Sequence, residues 1–194
     1  MARSNTTSFR VLGIAGSLRA GSFNRALLRA AIELAPEGTE VQPFDISELP
    51  LYNADLDKPQ QPPDVAVALR TAITETDALL IVTPEHNWGP SAATKNVVDW
   101  ASRPAGESVL RSKPVALQGA SIGPYGTIRA QLQLRQHLQA QPAYVLTSPE
   151  VQVNQAATRF DDALRLIDED ARALVTRQLA ALRALAESLK PLRD

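Results

Sequence analysis

The sequence predicts an α/β fold, a doubly wound parallel sheet built by a single domain over residues 1–194. Five short aliphatic or alternating segments read as strands, and they alternate with five segments of helical periodicity. Parallel strands need crossovers, helices supply them, and the crossovers run right-handed. The apolar runs at 10–16 and 77–84 lack a helical stripe and suit strands buried on both faces. Finally, the loops richest in Gly, Ser or Asn follow strands one, three and four. That is the carboxyl edge, where such sheets bind their ligands.

Taken in order, residues 1–9 are polar and expected to be disordered. Strand one, 10–16, enters a polar turn and then a helix whose apolar positions Ala26, Leu27, Ala30, Ala31 and Leu34 recur at helical spacing. Pro36 and Gly38 stop that helix. Residues 39–44 alternate as a second strand. The irregular loop 46–57 holds Leu49, Leu51 and Tyr52, more apolar than loops usually are, so it is expected to pack at a surface or cover a cleft. A proline-rich connector, 58–63, leads to a helix striped by Ala66, Leu69, Ala72 and Ile73 that ends near Thr76. Strand three, 77–84, discharges into the turn 85–91, and Ser91 is placed to cap the helix running to Ala101. Strand four, 115–120, is followed by the loop 121–127 and a helix with Ile128, Leu132, Arg135 and Leu138 in register. Strand five is 143–147, and a long last helix, 161–189, carries Leu164, Ile167, Ala171, Leu174, Leu182, Leu185 and Leu189.

The turn at 16–24 reads as an anion cradle. A strand, a Gly/Ser-rich loop and a helix in that order aim backbone N–H groups and a helix N-terminus at one point. Ser17, Ser22 and Asn24 add neutral donors, and Arg19 adds a fork that fits phosphate oxygens. The same residues also satisfy a simpler reading, a glycine turn with Ser22 or Asn24 as the helix N-cap. Neither Gly-x-x-x-x-Gly-Lys-Ser/Thr nor Gly-x-Gly-x-x-Gly is present, which disfavours a nucleoside-triphosphate site and a dinucleotide fingerprint. A cradle for one terminal phosphate remains.

Composition narrows the partners. With 20 Lys+Arg against 21 Asp+Glu, the net charge of -1 offers no basic field to nucleic acid. No apolar run approaches the roughly 20 residues that span a bilayer, and residues 1–8 lack an apolar signal core, so no membrane partner is expected and the cytoplasm is the expected location. Zero Cys excludes thiol redox chemistry and thiolate metal sites, and two His, His86 and His137, far apart in the chain, disfavour a His-rich metal site.

Three segments resemble the NAD(P)H-dependent FMN reductases, the family that includes quinone, chromate and azo reductases. Gly16-Ser-Leu-Arg-Ala-Gly-Ser-Phe-Asn24 is similar to the family's phosphate loop, Gly-Ser-x-Arg-x-x-Ser-x-Asn. Thr83-Pro-Glu-His-Asn87, with Lys95-Asn96 and Asp99-Trp100, resembles Thr-Pro-Glu-Tyr-Asn and Lys-Asn-x-x-Asp-Trp; Gln131 with Leu134-Arg135-Gln136 matches a fourth-helix pattern. The resemblance implies a flavodoxin-like doubly wound five-stranded parallel sheet with strand order 2-1-3-4-5. It implies that Ser17, Arg19, Ser22, Phe23 and Asn24 hold the FMN phosphate, that Pro84, Glu85, His86 and Asn87 line the isoalloxazine, and that Ser121 closes on the ring's pyrimidine side. It further implies hydride transfer from NADPH or NADH to the flavin, then two electrons to a quinone, azo compound, chromate or free flavin, in a homodimer or homotetramer. No side chain need act as acid, base or nucleophile, so no catalytic residue is named. The chain departs from the pattern at His86, where the family has Tyr, and at Ser91-Ala-Ala-Thr94, where it commonly reads Pro-Gly-x-Leu.

For single residues a plain structural role competes. Trp100 reads as core, Lys95 and Asp99 as an i,i+4 pair worth a few tenths of a kcal/mol, and His86 as a hydrogen-bonding spacer. Trp88 is either exposed by its loop or stacks on flat substrates. The rival function is a flavodoxin-type electron carrier without NAD(P)H turnover, against which the near-neutral charge and the 85–87 match argue. A charge-assisted hydrogen bond contributes about 1.5–3 kcal/mol, so Arg19→Ala is expected to weaken FMN roughly ten- to a hundredfold and to spare riboflavin. Equal losses for the two flavins in a fluorescence titration would exclude the phosphate assignment.

Overall fold

The computed structural model describes residues 8–59 and 61–190. Its eight strands are β1 (Phe9–Ala15), β2 (Thr39–Phe44), β3 (Ala78–Val82), β4 (Glu85–His86), β5 (Gly89–Pro90), β6 (Pro114–Ala120), β7 (Tyr144–Val145) and β8 (Val151–Val153). The helices are α1 (Phe23–Glu33), α2 (Asp64–Glu75), α3 (Ala92–Ala101), α4 (Ile128–Gln139), α5 (Ala156–Arg159) and α6 (Glu169–Leu189). The main sheet is parallel, in the order β2-β1-β3-β6-β7, with β8 also on β6. Counting its strands by chain position, this is the predicted order 2-1-3-4-5, with the fifth strand in two pieces.

Both faces of the sheet are covered, which is why the central strands carry no polar interruption. Val11, Leu80, Val82 and Ala116 face one layer, where they pack with Ala26, Leu27 and Ala30 of α1 and Val175, Leu179 and Leu182 of α6. Leu12, Ile14, Leu79, Ile81 and Leu117 face the other, against Leu69 and Ile73 of α2, Val97 and Trp100 of α3, and Leu134 and Leu138 of α4.

Four sequence expectations change. Of the segment 1–9, residues 1–7 lie outside the described residues, whereas Phe9 is buried and opens β1, its N–H donating to Gly38 O at 2.8 Å. The fifth strand is not 143–147. β7 pairs the first half of β6 and β8 the second, because Pro149 cannot donate to a ladder. Side chains instead take the intervening carbonyls, Arg135 that of Leu146 (2.8 Å) and Gln178 that of Pro149 (2.8 Å).

The last helix starts at Glu169 and not at 161. Asp161 closes a local turn by accepting the Arg165 N–H (2.8 Å), Leu164 lies at φ 57, and Asp168 is the true N-cap, accepting the Ala171 N–H at 2.9 Å. That bond, and then the Arg159 guanidinium, hold the Asp168 carboxyl below its usual range. The face of α4 is also shifted: Ala130, Gln131, Leu134 and Leu138 are buried, and Leu132 is exposed. The sequence stripe misses this because Gln131 goes inside, its amide donating to Val151 O at 3.0 Å.

The apolar loop 46–57 behaves as expected in part. Leu49 is buried, but Leu51 is 75% exposed. Two residues of the Lys-Asn-x-x-Asp-Trp segment fasten this loop to α3: Asn96 accepts the Tyr52 N–H (2.8 Å) and donates to Pro50 O (2.8 Å), which also accepts the Trp100 indole N–H (2.7 Å). Tyr52 completes the clamp edge-on to Trp100, with ring centroids 5.0 Å apart. Trp100 is fully buried, and Lys95 pairs with Asp99 within α3, both as read from the sequence. Among the described residues, no helix is long and apolar enough to cross a membrane.

Candidate active site

Because β3 lies between β1 and β6, the loops leaving their carboxyl ends are neighbours. Direct bonds close the gap further. Ser91 Oγ, besides capping α3 through the Thr94 N–H (3.1 Å), donates to Gly16 O at 2.5 Å, and Thr94 Oγ1 stands 2.9 Å from Ser91 Oγ and 3.0 Å from Thr83 Oγ1. A Cβ on Gly16 would lie 1.8 Å from Thr94 Oγ1, so only glycine permits this approach. Ser91-Ala-Ala-Thr94, which reads as a departure from the family pattern, thus points two hydroxyls inward and bolts the first loop to the second.

The first loop has the features of an anion site. Among the described residues, no acceptor takes the backbone N–H groups of Ser17 through Gly21, while on either side Gly16 N–H donates to Val82 O (2.8 Å) and Asn24 N–H to Ser22 Oγ (3.1 Å). Arg19 is exposed and curls back over Gly21, its Nη1 3.5 Å from where a Cβ there would sit. Ser17 is half-buried at the start of the loop. This fits a dianionic phosphate: free donors on a helix N-terminus with one cation above them.

The remaining residues of that loop have partners within the chain, and Ser22 takes the N-cap role that the simpler reading gave it. Ser22 is the buried N-cap of α1, its oxygen accepting from Asn24 and Arg25. Asn24 is buried and grips the backbone of Ala120, accepting its N–H (2.9 Å) and donating to its carbonyl (3.0 Å), which leaves one amide hydrogen. Both residues hold the shape of the first loop. Phe23 is half-buried, 5.2 Å from Phe160 between ring centroids.

In the second loop Pro84 is buried and β4–β5 forms a two-residue hairpin. Asn87 (φ 49) and Trp88 (φ 68) both adopt the left-handed region that a type I′ turn demands. For a residue as bulky as Trp this is strained, by about 1–3 kcal/mol, and the hairpin is held by clamps on α4. Gln133 donates to Trp88 O (2.9 Å), and the Arg129 guanidinium lies between the rings of Trp88 (4.8 Å) and Tyr125 (4.6 Å). Glu85 is turned to the same task. Thr127, the N-cap residue of α4, makes no capping bond, and Glu85 replaces it from a distance by accepting the N–H groups of Arg129 (3.0 Å) and Ala130 (3.1 Å) and pairing with the Arg129 side chain. Both oxygens of its carboxylate are thereby engaged by α4. His86, Asn87 and Trp88 are exposed at the rim.

In the third loop the donors divide between the chain and the open edge. Ser121 N–H donates to Val153 O (2.9 Å) and Ser121 Oγ accepts the Gly123 N–H (3.2 Å), so that backbone donor is occupied; the next one, on Ile122, has no acceptor among the described residues. Gly119 lies beneath, where a Cβ would meet Thr127 Oγ1 at 1.8 Å. Sequence reasoning missed Arg129 and Gln133 because nothing local marks a helix residue as the clamp of a distant hairpin.

Compared with known proteins, residues 9–158 match the model of the family described as NADPH-dependent FMN reductase. The chain belongs to this family. An NAD(P)H-dependent FMN reductase of Pseudomonas aeruginosa is 45% identical over 181 residues, covering 93% of this chain and 97% of that protein. A quinone reductase of Escherichia coli K12 is 34% identical over 183 residues, covering 93% and 97%. Among solved structures, the flavoenzyme NAD(P)H:(acceptor) oxidoreductase FerB of Paracoccus denitrificans superposes with a TM-score of 0.83 at 30% identity, over 92% of this chain and 97% of that one. The phosphate loop, the hairpin and the loop after β6 all lie within, or at the edge of, the matched region.

The Gly16–Thr94 contact yields a test. Gly16→Ala is expected to cost about 1–3 kcal/mol by overpacking and to abolish flavin retention, and Thr94→Ala in the same chain is expected to restore part of both. Urea denaturation and the visible spectrum of the purified proteins read this double-mutant cycle.

Proposed function

We propose that this chain is an FMN-dependent oxidoreductase, folded as one domain over its length, that takes hydride from NADPH or NADH and passes two electrons to a small acceptor such as a quinone, azo compound, chromate or free flavin. The observation that carries it is the run of N–H groups from Ser17 to Gly21 that meet no acceptor among the described residues, beside Arg19 and at the carboxyl edge where the hairpin and the loop after β6 also emerge. FMN, when bound, supplies the hydride-accepting and electron-donating chemistry.

The chain's own residues supply position and polarity. Ser17, Arg19 and the loop N–H groups hold the phosphate; Ser22, Phe23 and Asn24 fix the loop's shape. Pro84, His86 and Asn87 border the ring, while Glu85 holds their hairpin on α4. The Ile122 N–H and the Ser121 hydroxyl stand at the pyrimidine edge, where donors stabilise developing negative charge. No side chain is needed to move a proton.

The exposed Leu51, Trp88, Ile122 and Tyr125 support a homodimer or homotetramer, since a monomer seldom leaves so many large apolar groups to water. The composition supports a cytoplasmic location. In light scattering the FMN-loaded protein is expected at a multiple of 21.0 kDa, and a value of one chain mass at micromolar concentration would remove the assembly. The activity is tested by steady-state kinetics against the named acceptors with each donor. Ping-pong kinetics with at least one acceptor are expected; donor oxidation absent with every acceptor would favour an electron carrier.

A further inference from the structure

A second concavity, of about 280 Å³, lies beyond the carboxyl ends of β1 and β2, on the side of the first loop away from β3. Ser17 and Leu18 form its shared wall with the phosphate cradle; Arg25 and Arg29, one turn apart on α1, and Phe44 and Asp45, at the end of β2, complete it. None of the functions assigned above uses it.

Its chemistry is specific. Neither Arg25 nor Arg29 pairs with a carboxylate among the described residues; Arg29 reaches only Leu164 O, at 3.5 Å. Two unneutralised guanidinium groups at i,i+4 repel unless an anion lies between them. Asp45 accepts the Ser47 N–H through one oxygen (3.0 Å), which leaves the other for a hydroxyl or amino donor, and Leu18 and Phe44 offer apolar surface to a flat base. In dinucleotide-binding sheets an acid meets the ribose 2′-hydroxyl of NAD, or an Arg nearby accommodates the 2′-phosphate of NADP; here the one carboxylate, Asp45, is outnumbered by Arg25 and Arg29. The volume lies just below the roughly 300 Å³ at which ligand sites begin, so it suits a nucleotide half and not a whole dinucleotide.

We propose that this pocket receives the adenosine 2′-phosphate half of NADPH, with Arg25 and Arg29 on the phosphate, and so makes NADPH the preferred donor. The proposal rests on the NAD(P)H-dependent reading above. It is tested without turnover by titrating FMN-loaded protein with adenosine 2′,5′-bisphosphate, using ADP as the comparison ligand. The bisphosphate is expected to bind more tightly than ADP and to compete with NADPH. In Arg25→Ala/Arg29→Ala its affinity and the NADPH kcat/KM are expected to fall about ten- to a hundredfold, while NADH kinetics and FMN affinity hold. Arg111→Ala, an exposed charge elsewhere, is expected to change neither. No binding of the bisphosphate, equal binding of ADP, or parallel losses with NADH would overturn the proposal, and a parallel loss of FMN would assign the arginines to the flavin phosphate instead. Bisphosphate binding with neither donor oxidised would uphold the pocket and refute the enzymatic reading.

Discussion

Gly16 is the point on which the site depends. Its missing side chain lets the end of β1 press against the first turn of α3, where Ser91 bonds its carbonyl and Thr94 links Ser91 to Thr83. These hydroxyls are buried, and a buried hydroxyl without a partner is expensive. The cluster is therefore satisfied only in one arrangement of the loops after β1 and β3. With the loop so fixed, the N–H groups from Ser17 to Gly21 are left without an acceptor among the described residues, and these are the donors the proposed phosphate site uses.

Several residues of the family motifs hold other segments in place. Asn24 ties the head of α1 to Ala120 across the sheet; Glu85 caps α4 in place of Thr127; Asn96 and Trp100 read the backbone of the loop at Pro50 and Tyr52. Each joins two segments far apart in the chain and close at the carboxyl edge. A cofactor held mainly by backbone donors needs such support, because N–H groups in a loop are only as well aimed as the loop is fixed.

The hairpin at 85–90 carries the clearest local strain. Asn87 and Trp88 both lie at positive φ, and the turn is held by Gln133, Glu85 and the guanidinium of Arg129 between two exposed rings. This fixes the height and tilt of the hairpin over the sheet while leaving the indole open to the solvent side. A flat substrate approaching the flavin would meet a rim already set in place.

Periodicity and turn chemistry determined the elements and the winding, since 10–16 and 77–84 have no choice but to be central strands and Ser22 and Ser91 mark helix starts. The loop at 16–24 reads as an anion cradle from sequence alone because its signal is local: glycine, hydroxyls and one Arg between a strand and a helix. The start of α6, the split of the fifth strand around Pro149 and the inward Gln131 were not legible there, because each is decided by bonds to residues elsewhere, Arg159, Gln178 and Val151 among them. The same holds for the loops at the carboxyl edge. Sequence singled out Glu85, Asn24 and Ser121, but only the tertiary structure decided that Glu85 bonds the head of α4, Asn24 the backbone of Ala120 and Ser121 that of Val153, since hydrogen-bond partners far apart in the chain leave no local trace.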